Sequence, residues 1–486
     1  MKLAQLLKSV PGIRSDVPDL EIAGVQEDSR KVRPGELFIA RSGTMADGSD
    51  YVRDAQSAGA AAAIVASPVA SATQIAQIVV DDPSAAISLI AHAYYNHPAE
   101  SLKVIGITGT NGKTTTAYLI RDILRTVGVK CGMIGTVEID NGNTIAQASM
   151  TTPSPIEVAA LLASMRDNGC AACAIEVSSH ALDQKRVGAI RFAAGAFTNL
   201  TGDHLDYHKT MDAYASAKAR LFEMLPASAA AIVNARDAAA SRMVQATQAR
   251  IRRFGIDQVA DYRATDVIVS ALGTDFVLHT PSGSAAVKMK LIGRHNVENA
   301  LTAAACVAET FSLTAEQIAA GLANTPGAPG RLQVVDLGQP FSVLVDYAHT
   351  DDALVNVLTA LRPLTSNKLR VVFGCGGDRD PSKRPRMARV AEQLADAVYV
   401  TSDNPRTEDA EKIIAAVCTG FSRKPYCVEL ERRNAIARAI ADAAPGDVVL
   451  IAGKGHENYQ IVGKIKQHFD DIEEACKVLK GLEKRQ

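Results

Sequence analysis

This chain has almost no net charge to offer a polyanion. Its 52 lysines and arginines stand against 53 aspartates and glutamates, so no global field draws it to nucleic acid or to an anionic membrane. It has no apolar run long enough to cross a bilayer, so no membrane insertion is expected. The opening MKLAQLLKSVPGIRSD is too short and too interrupted for a signal peptide, and a cytoplasmic location is expected. The eight cysteines are scattered, and of these Cys170 and Cys173 form a C-x-x-C with no second pair to complete a zinc site. They lie in CAACAIEV, which reads as a buried strand, and are expected to be small apolar core residues. What is present is ordinary for a globular protein: 486 residues, 47 % hydrophobic and 22 % charged, enough for about three domains that each bury a core.

Against this background one stretch stands out, LKVIGITGTNGKTTTAYLIRDILRTVG, from Leu102 to Gly128. An apolar strand pattern, Val104 to Ile107, runs into the loop Gly109-Thr110-Asn111-Gly112-Lys113-Thr114. A helical pattern follows, with Ala117, Ile120, Ile123, Leu124 and Val127 on one face. Strand, glycine loop and helix together make a phosphate cradle: loop N–H groups and a helix N-terminus face the anion, Lys113 adds charge, and Thr114 can ligate Mg²⁺. The usual pattern, G-x-x-x-x-G-K-[ST], requires glycine at 107, where this chain has Ile107.

Upstream, residues 1 to about 95 read as a small α/β unit, with strands at Ile22–Val25, Glu36–Ala40 and Ala60–Val65 and a helix from Tyr51 to Gly59. Its polar loops at Asp28-Ser29-Arg30 and Ser42 to Gly48 are, taken alone, turns. Tyr94 to Ser101 reads as a linker. Downstream come a strand at Cys131–Val137, the run Thr151-Thr152-Pro153, a helix from Ile156 to Asp167, and a strand ending at Glu176 before Ser178. A carboxylate at that strand end either holds Mg²⁺ beside the phosphate loop or is a buried glutamate needing its own partner; the loop favours the metal. TNLTGDHLDYH places Asp203, His204, Asp206 and His208 beyond another strand, Phe192–Phe197, as a site requires and a core does not. Lys218 lies in the helix Met211–Leu225, where a lone lysine is ordinarily a solvated surface charge. Asn296 and Asn299 sit in what reads as a polar loop opening a helix from Ala300 to Glu309, able to read a base or merely to cap the helix. In the last third, strands Phe341–Asp346, Leu369–Phe373, Ala397–Thr401 and Val448–Ala452 alternate with helices, as a doubly wound parallel sheet requires. DYAH, GGDRD, DNPR and GKGHE sit just past the strand ends, where such sheets bind ligands.

GTNGKTT, EVSSHALDQKRV, TNLTGDHLDYH, Lys218 and GRHNVENA occur in an order that resembles the Mur ligases, ATP-dependent amide-forming enzymes of peptidoglycan synthesis. DYAHTDDAL, GCGGDRDPSKRP, TSDNPRTED and IAGKGHENYQ extend the resemblance through the C-terminal third. It implies an α/β protein of three domains: 1–97 for the uridine nucleotide, 98–332 as a central P-loop ATPase with a parallel sheet, and 333–486 as a Rossmann-like, doubly wound domain for the amino acid. It implies that Gly109, Thr110, Asn111, Gly112, Lys113, Thr114 and Thr115 hold the ATP phosphates, that Asn296 and Asn299 lie near adenine, and that Arg331 and Asp346 lie near phosphate and ribose. Thr114 and Glu176 would hold one Mg²⁺ and His204 would help hold a second. Lys218 would carry a carbamate derived from CO₂ that supports the metal. Ser29 with Thr44, Met45 and Ala46 would contact the uridine end of the substrate, and Thr151, Thr152, Ser178, Gln184 and Arg186 its muramoyl-peptide portion. Arg379, Asp403, Asn404, Pro405, Arg406, Gly453 and Glu457 would hold the incoming amino acid. The small-molecule substrates implied are UDP-MurNAc-L-Ala-D-Glu and meso-diaminopimelate, and a monomer is expected.

The chemistry implied is activation of a carboxylate as an acyl phosphate, then attack by an amine, with the protein positioning the groups and neutralising charge through Lys113, His204 and Lys218. His204, Asp346 and His349 are all candidates for taking the amine's proton. meso-Diaminopimelate differs from lysine by a second carboxylate, and Arg406 in DNPR, the pattern of diaminopimelate-adding members, is suited to a bidentate pair with it. A salt bridge flanking a helix is the ordinary alternative for that arginine. The chain departs from the family pattern D-Y-A-H-T-P at its last position, where Asp351 is expected to serve as a helix N-cap. A lysine-adding ligase, a folylpolyglutamate synthase-like ligase and a nucleotide-binding regulator are the competing readings. A dehydrogenase reading of GCGGDR is weak, because Arg379 occupies the third glycine's place.

Overall fold

The structure is a computed structural model that describes residues 1–41, 43, 47–270, 273–423 and 427–483. Among these residues the strands assemble into three large sheets and a separate hairpin. The first sheet is parallel, in the order β1 (Gly24–Gln26), β2 (Glu36–Ile39), β3 (Ala62–Val65), β4 (Ala76–Val79). One face packs on the helix Pro83–Tyr94, which Asp82 caps through the Ala85 N–H. The other packs on the helix Val52–Ser57.

The central sheet contains β5 (Lys103–Thr108), β6 (Cys131–Ile134), β7 (Glu138–Asp140), β8 (Ile145–Gln147), β9 (Ala172–Glu176), β10 (Phe192–Phe197), β11 (Ala230–Asn234), β12 (Arg250–Ile256), β13 (Tyr262–Ser270), β14 (Gly273–Thr280) and β15 (Gly283–Met289). Its order is β15-β14-β13-β12-β11-β10-β5-β9-β6-β7-β8. The strands from β13 to β6 are mutually parallel, and antiparallel pairs extend both edges. β5 lies between β9 and β10 and is covered on both faces, which explains its uninterrupted apolar run. Helices Lys113–Thr126 and Arg294–Phe311 cover one face, Pro155–Asp167 and Met211–Glu223 the other. Cys173 is buried in the latter core with Cys170 beside it, and both are free thiols.

The third sheet has the order β16 (Gln333–Val334), β17 (Ser342–Asp346), β21 (Val448–Ala452), β18 (Leu369–Phe373), β19 (Ala397–Val400), β20 (Cys427–Val428), parallel except at β16. Helices flank both faces, so it is doubly wound. The hairpin β22 (Tyr459–Val462) and β23 (Ile465–His468) follows it.

Three local expectations change. The helix expected from Ala300 begins at Arg294, so Asn296 and Asn299 belong to its first turns and not to a loop. Gly293 occupies the N-cap with no side-chain bond, so the usual polar start signal is missing from the sequence. Asp351 is not the N-cap of its helix. Thr350 is, accepting from the Ala353 N–H, and Asp351 instead pairs with Arg386 at 2.9 Å. The Tyr94–Ser101 linker overlaps the end of the helix Pro83–Tyr94 and contains a short 3-10 turn, Pro98–Glu100. The antiparallel strands β13 to β15 were not foreseen in any form.

Candidate active site

The glycine loop leaves β5 and enters its helix through two backbone positions that exclude a side chain. Gly109 has φ +147° and an added Cβ would lie 1.9 Å from Thr198 Oγ1; Gly112 has φ +86° and its Cβ would lie 2.2 Å from Asn299 Oδ1. Ile107 is still inside the buried strand, so the glycine pattern begins two residues later than in the common motif. The loop is held by Thr198 Oγ1 donating to the Asn111 carbonyl at 2.6 Å and by the Asn111 N–H donating to Asn199 Oδ1 at 2.9 Å.

Two lysines converge behind the loop. Lys113 Nζ donates to the carbonyls of Gly109 and Thr110 at 2.9 and 2.8 Å, and Lys218 Nζ donates to the same Gly109 carbonyl at 2.7 Å. Lys218 is therefore a buried residue and not a surface charge. Burial first, and then the neighbouring Lys113, push its amine well below its usual range. Glu176, at the end of β9, is also buried. It accepts from Thr114 Oγ1 at 3.0 Å, from the Thr136 N–H at 2.8 Å and from Thr136 Oγ1 at 3.0 Å, and no described cation pairs with it. His204 follows β10 in a left-handed conformation, φ +55°, with its N–H on Asp203 Oδ1. Its side chain is 45 % exposed, yet desolvation by the surrounding protein lowers the imidazole to about 4, leaving it neutral and able to ligate.

Beside the loop a cavity of about 250 Å³ separates the central sheet from the third one, lined by Gly112, Thr115, Asn296, Asn299, Arg331 and Asp346. Asn299 Nδ2 donates to Asn296 Oδ1, and Asn296 Nδ2 to the Ile292 carbonyl, which fixes both amides. Arg331 lies over the Tyr347 ring at 4.7 Å and reaches Thr114 Oγ1 at 3.4 Å. Asp346 accepts from the Leu332 and Ala348 N–H groups, each at 2.7 Å, with one on each oxygen. Each oxygen thus accepts one backbone bond and keeps a further lone pair, and burial pushes the carboxyl above its usual range, so Asp346 stays a candidate proton acceptor with the two imidazoles.

Thr151, Thr152, Ser178, Gln184 and Arg186 are brought together. Thr136 Oγ1, whose proton is on Glu176, accepts from Thr151 Oγ1 at 3.0 Å, Thr152 accepts from the Ser178 N–H at 3.1 Å, and Arg186 donates to the Thr152 carbonyl and to Gln184 Oε1. Ser29 opens a 3-10 turn capped by Asp28 and lines a separate cavity with Arg30, Arg41, Tyr51 and Glu157. Thr44, Met45 and Ala46 lie outside the described residues.

A further cavity of about 350 Å³ runs from Thr136 and His204 past His349 to Arg379, Asp403, Asn404, Arg406, Gly453 and Glu457. Lys454 sits fully buried beneath it, 3.2 Å from Asp403 and 3.6 Å from Glu457, and donates to Asn404 Oδ1 at 3.0 Å. Burial opposes the charge on Asp403, but Lys454 and Arg432 outweigh it and hold that carboxyl below the usual range. Burial and then Asp403 push Glu457 the other way. Arg432 is itself paired with Asp471 at 2.7 Å, fully buried, and donates to the Ala452 carbonyl, so it anchors the backbone just before Gly453. Arg379 is exposed and Arg406 half-buried. Arg406 has φ +53°, which a side chain rarely adopts; its backbone is held by its own N–H on the Ile461 carbonyl and the Gly463 N–H on its carbonyl. Its Nη1 donates to the Gly377 carbonyl at 2.7 Å, and no described carboxylate pairs with it. The salt-bridge alternative for this arginine therefore does not hold. Pro405 directs the chain into that turn, its carbonyl facing Gly377.

Residues 21–95 match the Mur ligase family catalytic domain, 107–307 the Mur ligase middle domain, and 330–455 the Mur ligase glutamate ligase domain. A protein of Geobacillus kaustophilus called UDP-N-acetylmuramoyl-L-alanyl-D-glutamate–2,6-diaminopimelate ligase is 44 % identical over 483 residues, covering 97 % of this chain and 98 % of its own. One of the same name from Synechococcus elongatus is 43 % identical over 488 residues and 98 % of each chain. The chain belongs to the Mur ligase family. A solved structure of a ligase with that name aligns with a TM-score of 0.69 at 34 % identity, over 99 % of this chain and 100 % of the other.

Several residues of this Mur ligase site escaped sequence reading. Thr136 supplies two of the three hydrogen bonds to Glu176 yet lies in no glycine-rich or acidic motif. Asp352 accepts from Asn111 Nδ2 at 2.8 Å, tying the phosphate loop to the third sheet's first helix. Lys454 stands inside a recognised motif, but its pairing with Asp403 spans about fifty residues that no local pattern connects.

Proposed function

We propose that this chain is an ATP-dependent carboxylate–amine ligase that adds meso-diaminopimelate to UDP-N-acetylmuramoyl-L-alanyl-D-glutamate. The observation that carries the choice of amino acid is Arg406, a cation held at the cavity wall by backbone bonds, with a guanidinium edge on Gly377 and no carboxylate of the described protein to neutralise it. The second carboxylate of diaminopimelate supplies the partner that lysine lacks. Asp403 and Glu457 lie on the same wall and suit the ammonium group at that end. The division of labour follows the three sheets: 1–97 for the uridine end, 98–332 for ATP, 333–486 for the amino acid.

ATP phosphates fit the cradle from Gly109 to Thr115, with Lys113 as the cation, and adenosine fits the cavity beside Asn296, Asn299, Arg331 and Asp346. Among the described residues no three carboxylate, imidazole or thiol side chains cluster as a metal cage. That suits Mg²⁺, which keeps water and phosphate oxygens and takes few protein ligands. Thr114 and Glu176 would hold one ion and His204 would share in a second, neutralising charge on the phosphates. Lys218 has the environment of a lysine that takes up CO₂. Its depressed amine is nucleophilic, and the R–NH₂ + CO₂ → R–NH–COO⁻ + H⁺ product is an anion facing Lys113.

In the reaction the substrate carboxylate, held by Thr152, Ser178 and Arg186, attacks the γ-phosphorus and ADP departs. The amine then adds to the acyl phosphate and phosphate leaves. ATP-coupled amide formation with a panel of amino acids tests the reading. Diaminopimelate is the expected substrate; a preference for lysine, or phosphate release independent of both co-substrates, overturns it.

A further inference from the structure

In the segment Lys383-Arg384-Pro385-Arg386, which opens the helix Lys383–Leu394, two of the three cations are matched. Arg384 pairs with Glu408 through two bonds of 2.8 and 2.9 Å, and Arg386 pairs with Asp351 at 2.9 Å. Lys383 is different. It is 9 % exposed, and makes no hydrogen bond or ion pair with any described residue. A largely buried ammonium is costly without a hydrogen-bonded counter-charge, and the carboxylate its charge reaches, Asp203, makes no direct contact with it. Such a group persists where a ligand completes it.

Its position indicates which ligand. Lys383 lines the cavity of about 350 Å³ together with His204 and Asp203 from the central sheet and His349, Arg379 and Asp403 from the third. Its charge is felt at His349 and at Asp203, groups that belong to different sheets. The side chain therefore stands at the junction of the phosphate end and the amino-acid end, not at either. Arg379 and Arg406 line the amino-acid end, and Lys113 serves the nucleotide.

We propose that Lys383 is a catalytic residue whose ammonium receives the acyl oxygen as the amine attacks, an inference that rests on the ligase reading above. In that step the nitrogen lone pair forms the C–N bond and the carbonyl π pair moves onto oxygen, which becomes the oxyanion opposite Lys383. The pair returns as the C–O bond to phosphorus's bridging oxygen breaks, and phosphate leaves with that bonding pair and takes up the proton shed by nitrogen. A pre-placed cation that meets developing charge in a dry site stabilises the transition state and leaves ground-state binding nearly untouched.

The test separates the two chemical steps in Lys383→Met, Lys383→Gln and Lys383→Arg, using the full-length enzyme with ATP, Mg²⁺ and UDP-MurNAc-L-Ala-D-Glu. Acyl phosphate is trapped with hydroxylamine in the absence of amino acid, and amide formation is followed in its presence. Expected for Met and Gln is hydroxamate formation within threefold of wild type. Amide formation should fall about 100- to 1,000-fold, as when an oxyanion donor is lost, with KM for the amino acid within threefold. Arg should recover at least tenfold over Met. Amide formation within threefold of wild type overturns the proposal, as does an equal loss in both steps. A tenfold rise in KM with kcat intact also overturns it, by making Lys383 a binding cation. Loss of folded protein in all three variants overturns it by making the lysine structural. A wild type that forms no amide with any amino acid fails the ligase reading instead, which keeps the two outcomes apart.

Discussion

Replacing Arg406 by alanine removes a guanidinium whose surroundings are already described: one edge on the Gly377 carbonyl and the other facing the cavity, free of any described carboxylate. With diaminopimelate bound, the loss leaves a carboxylate in a partly desolvated wall without its partner. Truncating one member of such a pair costs about 2–5 kcal/mol, and at 1.36 kcal/mol per tenfold a middle value of about 3 kcal/mol is a loss of roughly 160-fold in kcat/KM. Lysine as substrate never used the contact, so its kcat/KM should stay within about threefold, and discrimination between the two should collapse by the same factor. Arg406→Lys keeps charge but not the planar fork, and an intermediate loss of about tenfold is expected. The assay is initial-rate ADP release with each amino acid at saturating ATP and UDP substrate, with KM for ATP as internal control. The Gly377 bond is worth only about 1 kcal/mol to the fold, so thermal unfolding should shift little. Equal losses with diaminopimelate and lysine, or a change in KM for ATP as large as that for the amino acid, would refute the argument.

Other perturbations give equally definite outcomes. Lys218→Ala should lower activity about 100-fold or more, the scale for losing an electrostatic group at a phosphoryl site, with partial recovery in added formate; a ¹³C carbamate resonance from labelled CO₂ in the wild type and not in the variant completes the check. Gly112→Ala forces a Cβ to 2.2 Å from Asn299 Oδ1 at φ +86°, and should raise KM for ATP about tenfold or more, a backbone penalty of 1–2 kcal/mol plus the contact; an unchanged KM would show that the loop relaxes freely. His92, buried in the N-terminal core with Nε2 unpartnered, is lowered by burial to about 4 from 6.5. Because the folded value is the lower one, the unfolded chain binds protons first, so stability is full above pH 6.5 and falls as pH drops towards 4. Its share of that loss is about 3 kcal/mol, and His92→Gln should flatten the denaturant midpoint between those pH values.

Legibility tracked how locally a feature is encoded. The unit of strand, glycine loop and helix was readable because its parts are contiguous and each obeys a steric rule. The doubly wound third sheet was readable because apolar runs such as Leu369–Phe373 and Val448–Ala452 recur between helical segments. The start of the Arg294 helix was not, since a bare glycine caps it. The Asp351 cap failed because the preceding threonine, in an extended conformation, already bonds the Ala353 N–H, which frees the aspartate to reach a neighbouring helix. Helical spacing alone left Lys218 an ordinary surface lysine, because it does not reveal that the tip passes beneath Gly109; only the family resemblance marked the residue. Contacts such as Lys454 with Asp403 depend on chain segments meeting in space, and composition holds no trace of them.

The pinning of Arg406 has a consequence for how selectivity can be moved between proteins. Its φ of +53° depends on Ile461 and Gly463 of the hairpin, and the side chain's direction depends on Gly377 from a third segment. An arginine grafted alone into a ligase with a different hairpin would relax to an ordinary backbone angle and point its fork elsewhere. With Arg406 in its proposed role, the heritable unit of amino-acid choice is a three-part splint rather than a single codon, and exchange of substrate preference would require transplanting the DNPR turn with its hairpin and its glycine loop.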